Sequence, residues 1–284
     1  MSDAPKIIMI MVDGFGIPAD GWEGSVYAEC CSDDFMDLLY NYSISLDAVL
    51  GVSGIPQSAT GQTALFTGIN ASEVMNKHCS GFPGPTLKKI IEKQNIFKAL
   101  QERNKSVVFA NAYIRSSLEK IATSRFCSVT SCMVVNTINK VFDRESLILN
   151  KSVHHDITRE AIVAKYNIPA VSPEAGAQHL LGVSKNVDFT LFEYFRTDIA
   201  GHRQDKNILE KVLNILSRFI VTIKNSLSDN TSLLITSDHG NCEDLSTPGH
   251  TTNLVPLIYY PKKTVLPKAK SIVDVYNLIV EVLD

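Results

Sequence analysis

Ile7-Ile8-Met9-Ile10-Met11-Val12-Asp13-Gly14 is the stretch on which the reading of this chain turns. An unbroken β-branched and methionine run, without polar alternation, describes a strand buried on both faces, as in a parallel sheet. It stops at an Asp-Gly pair, so a carboxylate sits where the strand gives way to a loop. The pattern recurs downstream. An apolar run over 189–195 precedes Thr197-Asp198-Ile199-Ala200-Gly201-His202, and a strand over 232–236 leads through Ser237 to Asp238-His239-Gly240. Gly249-His250-Thr251-Thr252-Asn253 then precedes a last apolar run, 254–260.

Between these runs lie helical patterns. Residues 60–67 are small and apolar and read as a helix beginning near Ser58. Residues 86–104 have helix-former composition with apolar spacings of three and four and a break near Asn95, and they lead into a strand at 106–111. Residues 173–181 suit a helix, and 271–283 a closing one. Over 206–227, Leu209, Val212, Leu213, Leu216, Phe219, Ile220 and Ile223 form one helical stripe. Strands alternating with helices imply an α/β fold with a mostly parallel sheet covered on both faces. In such sheets functional residues gather at the carboxyl ends of strands, which places Asp13, Asp198 and Asp238 on one edge. Residues 113–172 show weak periodicity and read as an insertion or small cap. The expected organisation is a core from 1–112 and 173–284 around that segment.

With 284 residues, 45% apolar and 20% charged, the chain can bury a sizeable core. A net charge of −3 offers no basic surface for nucleic acid or membrane. No apolar run approaches a membrane span, and the amino terminus lacks the basic start of a secretory signal. The six cysteines show no CxxC pattern, so free thiols and a cytoplasmic location are expected.

Three aspartates and three histidines suffice to hold two divalent cations and leave positions open for substrate. Carboxylate with imidazole suits Mn²⁺ or Zn²⁺. Asp198 and His202 are four apart, which aligns them on a helix face, while Gly201 would equally permit a tight loop. Asp238 and His239 are adjacent and in extended chain would point to opposite sides, toward two different metals. Ser58 opens a helix whose free N–H groups favour a phosphoryl group, and a metal can activate its hydroxyl. Simple N-capping by Ser58 or Thr60 is the plain alternative. Thr60, Gln62, His155 and Arg159 are candidate substrate contacts; for His154-His155-Asp156 a solvated turn is the alternative.

These motifs resemble the alkaline phosphatase superfamily, and within it the cofactor-independent phosphoglycerate mutase and phosphopentomutase branch. Residues 234–243, LITSDHGNCE, are similar to the mutase segment TADHGNAE, and 249–258, GHTTNLVPLI, to HTTNPVP. Residues 197–202 are similar to DMVGH, and 12–17, VDGFGI, to the first-strand motif. Ser58 falls at the nucleophile position of NSEVGH, where Ala59 and Gln62 replace the Glu and His; the run from Ser58 to Gly68 also resembles the phosphatase nucleophile helix. The resemblance implies a three-layer core. It implies one metal at Asp198, His202 and His250, and a second at Asp13, Asp238, His239 and the Ser58 hydroxyl. Ser58 would attack phosphorus and form a phosphoseryl intermediate.

The mutases of this branch carry a large inserted domain, whereas 113–172 supplies only 60 residues. The expectation is therefore a two-metal phosphoester hydrolase acting through Ser58 on a small phosphorylated substrate. A phosphomutase on a small sugar or sugar acid is the second reading and a non-catalytic metal-binding module the third. Oligomeric state is not legible.

Overall fold

The computed structural model describes residues 4–261 and 268–284. Its sheet contains β1 (Lys6–Val12), β2 (Ser43–Leu46), β3 (Val107–Phe109), β4 (Phe189–Tyr194), β5 (Thr231–Thr236) and β6 (Val255–Tyr260), in the spatial order β2-β6-β5-β1-β4-β3. The run that opened the sequence is the central strand. Met9 of β1 lies between Leu191 of β4 and Leu234 of β5, both parallel to it. β3 extends the parallel set, and β6 runs antiparallel to both of its neighbours.

Alternate residues of β1 serve opposite layers, as the strand period of two requires. Ile7, Met9 and Met11 pack with the helices Ser58–Thr67, Pro85–Lys93, Ile96–Gln101 and Asp274–Leu283. Ile8, Ile10 and Val12 pack with Asp33–Asn41, Pro173–Ser184 and Lys206–Asn225. Because both faces are covered, β1 shows no polar alternation. The expected α/β fold with a mostly parallel sheet is the one observed. Every residue of the stripe read along 206–227 is buried, and Asp205 caps that helix through the Ile208 N–H. None of the described helices is long and apolar enough to cross a membrane.

Two differences from the sequence reading have plain causes. Strand β2 was not anticipated, because four residues, two of them serine, are too few to show a period. The last apolar run forms the expected strand, but it reverses direction to pair β2 with β5. Residues 113–172 fold into short helices, including Leu118–Ala122, Val129–Met133 running on into a π turn to Ile138, and Arg144–Ile148. Ile121, Val129 and Met133 join one main cluster, Val153 and Ile157 the other, and Leu147, Ile162 and Ile168 form a small core of their own.

The helical stretch 86–104 is broken where expected. Asn95 is buried with extended backbone; its Oδ1 accepts from Lys98 N at 3.0 Å, and its Nδ2 donates to Ile91 O at 2.9 Å and to Thr137 Oγ1 at 3.1 Å. Asn95→Ala removes a cap and leaves a buried carbonyl bare. It should lower the unfolding free energy by about 1–3 kcal/mol, read as a lower urea midpoint at unchanged slope. An unchanged midpoint would show that flanking packing alone sets the break.

Candidate metal centre

The carboxyl ends of β1, β4 and β5 converge on one cluster. Asp13 follows β1 directly. Asp198 lies in the first turn of the helix Arg196–Arg203, which follows β4, and Thr197 beside it donates its hydroxyl to Asp13 O at 2.6 Å. Asp238 and His239 follow β5. His250 reaches in from the loop before β6, its Nδ1 held 2.9 Å from Pro56 O.

The side chains fall into two sets. His202 Nε2 is 3.3 Å from Asp198 Oδ2, His250 Nε2 is 3.4 Å from Asp198 Oδ1, and the two histidine nitrogens are 3.2 Å apart. His239 Nε2 is 3.3 Å from Asp13 Oδ1, 3.5 Å from Asp238 Oδ2 and 2.9 Å from Ser58 Oγ. The sets touch where the rings of His239 and His250 stack, centroids 3.7 Å apart. His239 therefore borders both.

Local structure decides two open alternatives of the sequence reading and corrects one detail. Asp198 and His202 align on a helix, so Gly201 is not needed for a loop. Its role is space: a Cβ there would meet Asn241 Oδ1 at 2.4 Å, and Asn241 Nδ2 donates to Asp198 Oδ1 at 2.6 Å. Asp238 and His239 lie past the end of β5 in a bend, where their side chains converge instead of diverging. Ser58 is inside its helix, with Gln57 in the capping position, and its hydroxyl faces His239 rather than the helix backbone. That helix approaches very closely: a Cβ on Gly61 would meet Asp238 O at 2.7 Å.

Electrostatics set the chemistry. Burial and the charges of Asp238, Asp198 and Glu193 push the Asp13 carboxyl well above the usual range. Asp198 is also buried, which alone would raise it, but hydrogen bonding from His250, the His239 charge and Asn241 outweigh that and hold it at about 2. Burial lowers His239. It would lower His250 too, yet the hydrogen bonds to Asp198 and the Pro56 carbonyl raise it. Both carboxylate oxygens of Asp238 and Oδ1 of Asp13 are buried without a hydrogen-bond partner. Buried carboxylates are costly unless compensated. The ligand atoms of Asp13, Asp238 and His239 lie within 4.8 Å of one another, as do those of Asp198, His239 and His250. Bare oxygens and imidazole nitrogens at this spacing fit divalent cations.

Of the other candidates, Gln62 Nε2 donates to Asp13 Oδ2 at 3.4 Å. Thr60 bonds Gln57 O and Cys79 N and braces the Ser58 turn. His155 stacks on Phe195, just before the Asp198 helix. The Arg159 guanidinium bonds Asn150 and His179 instead of any member of the cluster, because its residue occupies a left-handed turn packed toward the helix Pro173–Ser184. Glu193 was missed. It is buried on β4, pushed up to about 7 by burial, and its Oε2 accepts from Thr130 at 2.9 Å. Its signal was a lone charge inside an apolar strand. Glu243 was missed too; its carboxylate gathers Gly16 N, Asn241 N, Thr251 Oγ1 and Asn253 Nδ2, tying three loops around the cluster.

A family model described as the Metalloenzyme superfamily matches residues 5–283. The chain is similar to the 2,3-bisphosphoglycerate-independent phosphoglycerate mutase of Ruegeria sp. (strain TM1040), 31% identical over 37% of this chain and 23% of that protein. It is similar to the phosphopentomutase of Alkaliphilus oremlandii (strain OhILAs), 30% identical over 36% of this chain and 27% of that protein. The chain thus matches about a quarter of the length of these relatives. Among solved structures, the cold-active alkaline phosphatase of the psychrophile Shewanella sp. aligns with a TM-score of 0.60 at 12% identity, over 98% of this chain and all of that one. The alkaline phosphatase of the Antarctic bacterium TAB5 aligns at 0.53 and 13%, over 99% and 98%. These likenesses show an alkaline-phosphatase-like fold.

The bare carboxylate gives a direct test of metal occupancy. Asp238→Asn should raise the melting temperature of the metal-free protein, because it removes a buried charge, and should erase most of the stabilisation by Mn²⁺ or Zn²⁺. In the unaltered protein a cation at a hundred times its Kd should add about 2.7 kcal/mol. Equal metal-induced shifts in both proteins would exclude Asp238 as a ligand.

Proposed function

The chain belongs to the Metalloenzyme superfamily, and from that premise we propose that it is a two-metal phosphoester hydrolase acting through Ser58. The carrying observation is the placement of Ser58. Its hydroxyl lies 2.9 Å from His239 Nε2, on the first turn of a buried helix, beside carboxylates that lack partners. Asp198, His202 and His250 would hold one cation, and Asp13, Asp238, His239 and the Ser58 hydroxyl the other. When bound, Mn²⁺ or Zn²⁺ supplies Lewis acidity that favours the serine alkoxide and offsets phosphoryl charge.

The chain's own groups orient the reaction. Thr60 N and Gly61 N are engaged by Cys79 O and Gln57 O, which leaves the N–H groups of Ser58 and Ala59 to face phosphoryl oxygens. Ser58 Oγ bonds to phosphorus as the ester oxygen departs as an alcohol. Water then takes the phosphoryl group and frees Ser58. Water as acceptor is supported by the half-buried position of Ser58 next to the exposed loop 51–55. The named relatives favour the second reading, in which the phosphoryl group returns to another hydroxyl of the same substrate.

With Mn²⁺ or Zn²⁺, inorganic phosphate should be released from a panel of phosphorylated metabolites and an aryl phosphate. Ser58→Ala should reduce that release at least about a thousandfold. Isomerisation of one metabolite without phosphate release would establish the mutase reading. Metal binding with no Ser58-dependent conversion would leave a non-catalytic module.

A further inference from the structure

A cavity of about 470 Å³ opens between the chain leaving β3 and the turn at residues 154–166. Tyr113, Arg115, His154, His155, Lys165 and Tyr166 are among its walls, and no carboxylate is. We propose that this cavity is the subsite for a second anionic group, carried on the alcohol portion of the substrate. The inference rests on the phosphoester chemistry proposed above and names the class of ester that the centre takes.

Charge is the first argument. No ion pair engages Arg115 or Lys165 among the described residues; Lys165 Nζ lies 5.6 Å from the Tyr166 ring centre. On the neighbouring helix Lys206–Asn225, by contrast, Lys211 pairs with Glu160 and Arg218 with Glu174. Two unpaired cations walling a concave site whose lining holds no acid put a positive field on it, while Arg115 also borders an adjoining cavity with Asp143 and Glu145.

The second argument is that the histidine turn is built at a cost. Ile157, a β-branched residue, is held at φ 65°, a conformation that such side chains rarely adopt. Asp156 fastens the turn by accepting Arg159 N at 2.8 Å, Ala161 N at 2.9 Å and His154 Nδ1 at 2.6 Å. With Nδ1 committed as donor, His154 has Nε2 left to accept from a substrate hydroxyl. His155 Nδ1 is buried with no partner. Burial lowers His155 to about 4, so it enters the cavity neutral.

The third argument is contiguity. The His155 ring stacks 4.3 Å from Phe195, which begins the helix bearing Asp198. The Tyr113 hydroxyl is 2.8 Å from Ser131 Oγ, and the adjacent Thr130 bonds Glu193 beside the metal carboxylates. β3 is two strands from β1 in the sheet order, roughly 10 Å at ordinary strand spacing. A short carbon chain spans that gap.

The test compares kcat/KM of the metal-loaded protein for butyl phosphate and for its forms with a terminal carboxylate or a terminal second phosphate. A tail should improve kcat/KM at least about tenfold, and Arg115→Gln and Lys165→Gln should each cut that ratio by about tenfold. Taking the ratio cancels any loss of folded protein. The better tail identifies the anion as carboxylate or phosphate. No preference in the unaltered protein, or one that survives both substitutions, overturns the proposal. Should no ester be turned over, the hydrolase reading fails separately. Calorimetry on Ser58→Ala then decides the subsite: binding of a tailed compound that weakens with Arg115→Gln supports it, and binding indifferent to Arg115 overturns it.

Discussion

Buried negative charge faced by histidines, with no lysine or arginine at ion-pair distance among the described residues, is the constraint around which this molecule is arranged. Asp13, Asp198, Asp238 and Glu193 meet at the carboxyl edge of the sheet, and among the described residues the basic groups within ion-pair distance of them are histidines. Each such carboxylate costs several kcal/mol to bury uncompensated. The chain relieves Asp198 through His250 and Asn241 and leaves both Asp238 carboxylate oxygens without a hydrogen bond. A fold that retains so unfavourable a group gains stability from whatever cation binds it, because ligand binding to the native state is itself stabilisation.

Close approach makes the cluster possible. The Ser58 helix is buried along nearly its whole length, small-residued, and bare of a side chain at Gly61, so its first turn reaches the Asp238 backbone. Gly201 does the same for Asn241. These positions are unremarkable in propensity, and a methyl group at either would push a carboxylate or its donor out of place. Glu243 completes the frame from outside, gathering backbone and side-chain donors of the loops that carry Gly16, Asn241 and Asn253.

How much of this was legible follows from the range of each interaction. β1, β4, β5 and the amphipathic helix could be read because burial repeats with a local period. The edge location of Asp13, Asp198 and Asp238 followed from chain direction in parallel strands. Less was visible where the cause is tertiary. The reversal of β6 depends on β2, whose four residues carry no period. The convergence of Asp238 with His239 depends on a bend that an extended-chain argument misses. The partners of Arg159, Asn150 and His179, follow from a left-handed backbone that its residue type does not reveal. Glu193 was overlooked because a charge in an apolar strand reads as an interruption, while in the fold it is the fourth acid of the cluster.

The two parts of the chain therefore carry different physical tasks. Residues near strands β1, β4 and β5 gather like charges, an arrangement suited to cations and a phosphoryl group and indifferent to the rest of a substrate. The segment 113–172 adds the unpaired cations Arg115 and Lys165 on either side of a strained turn and also packs into both sides of the core. Selectivity and the fate of the phosphoryl group are then one question. An alcohol anchored by its own charge next to Ser58 competes with water for return transfer, and one that leaves quickly does not. On the proposed reading, the strength with which Arg115 and Lys165 hold that charge would set the balance between hydrolysis and transfer, with a metal centre that need not differ between the two.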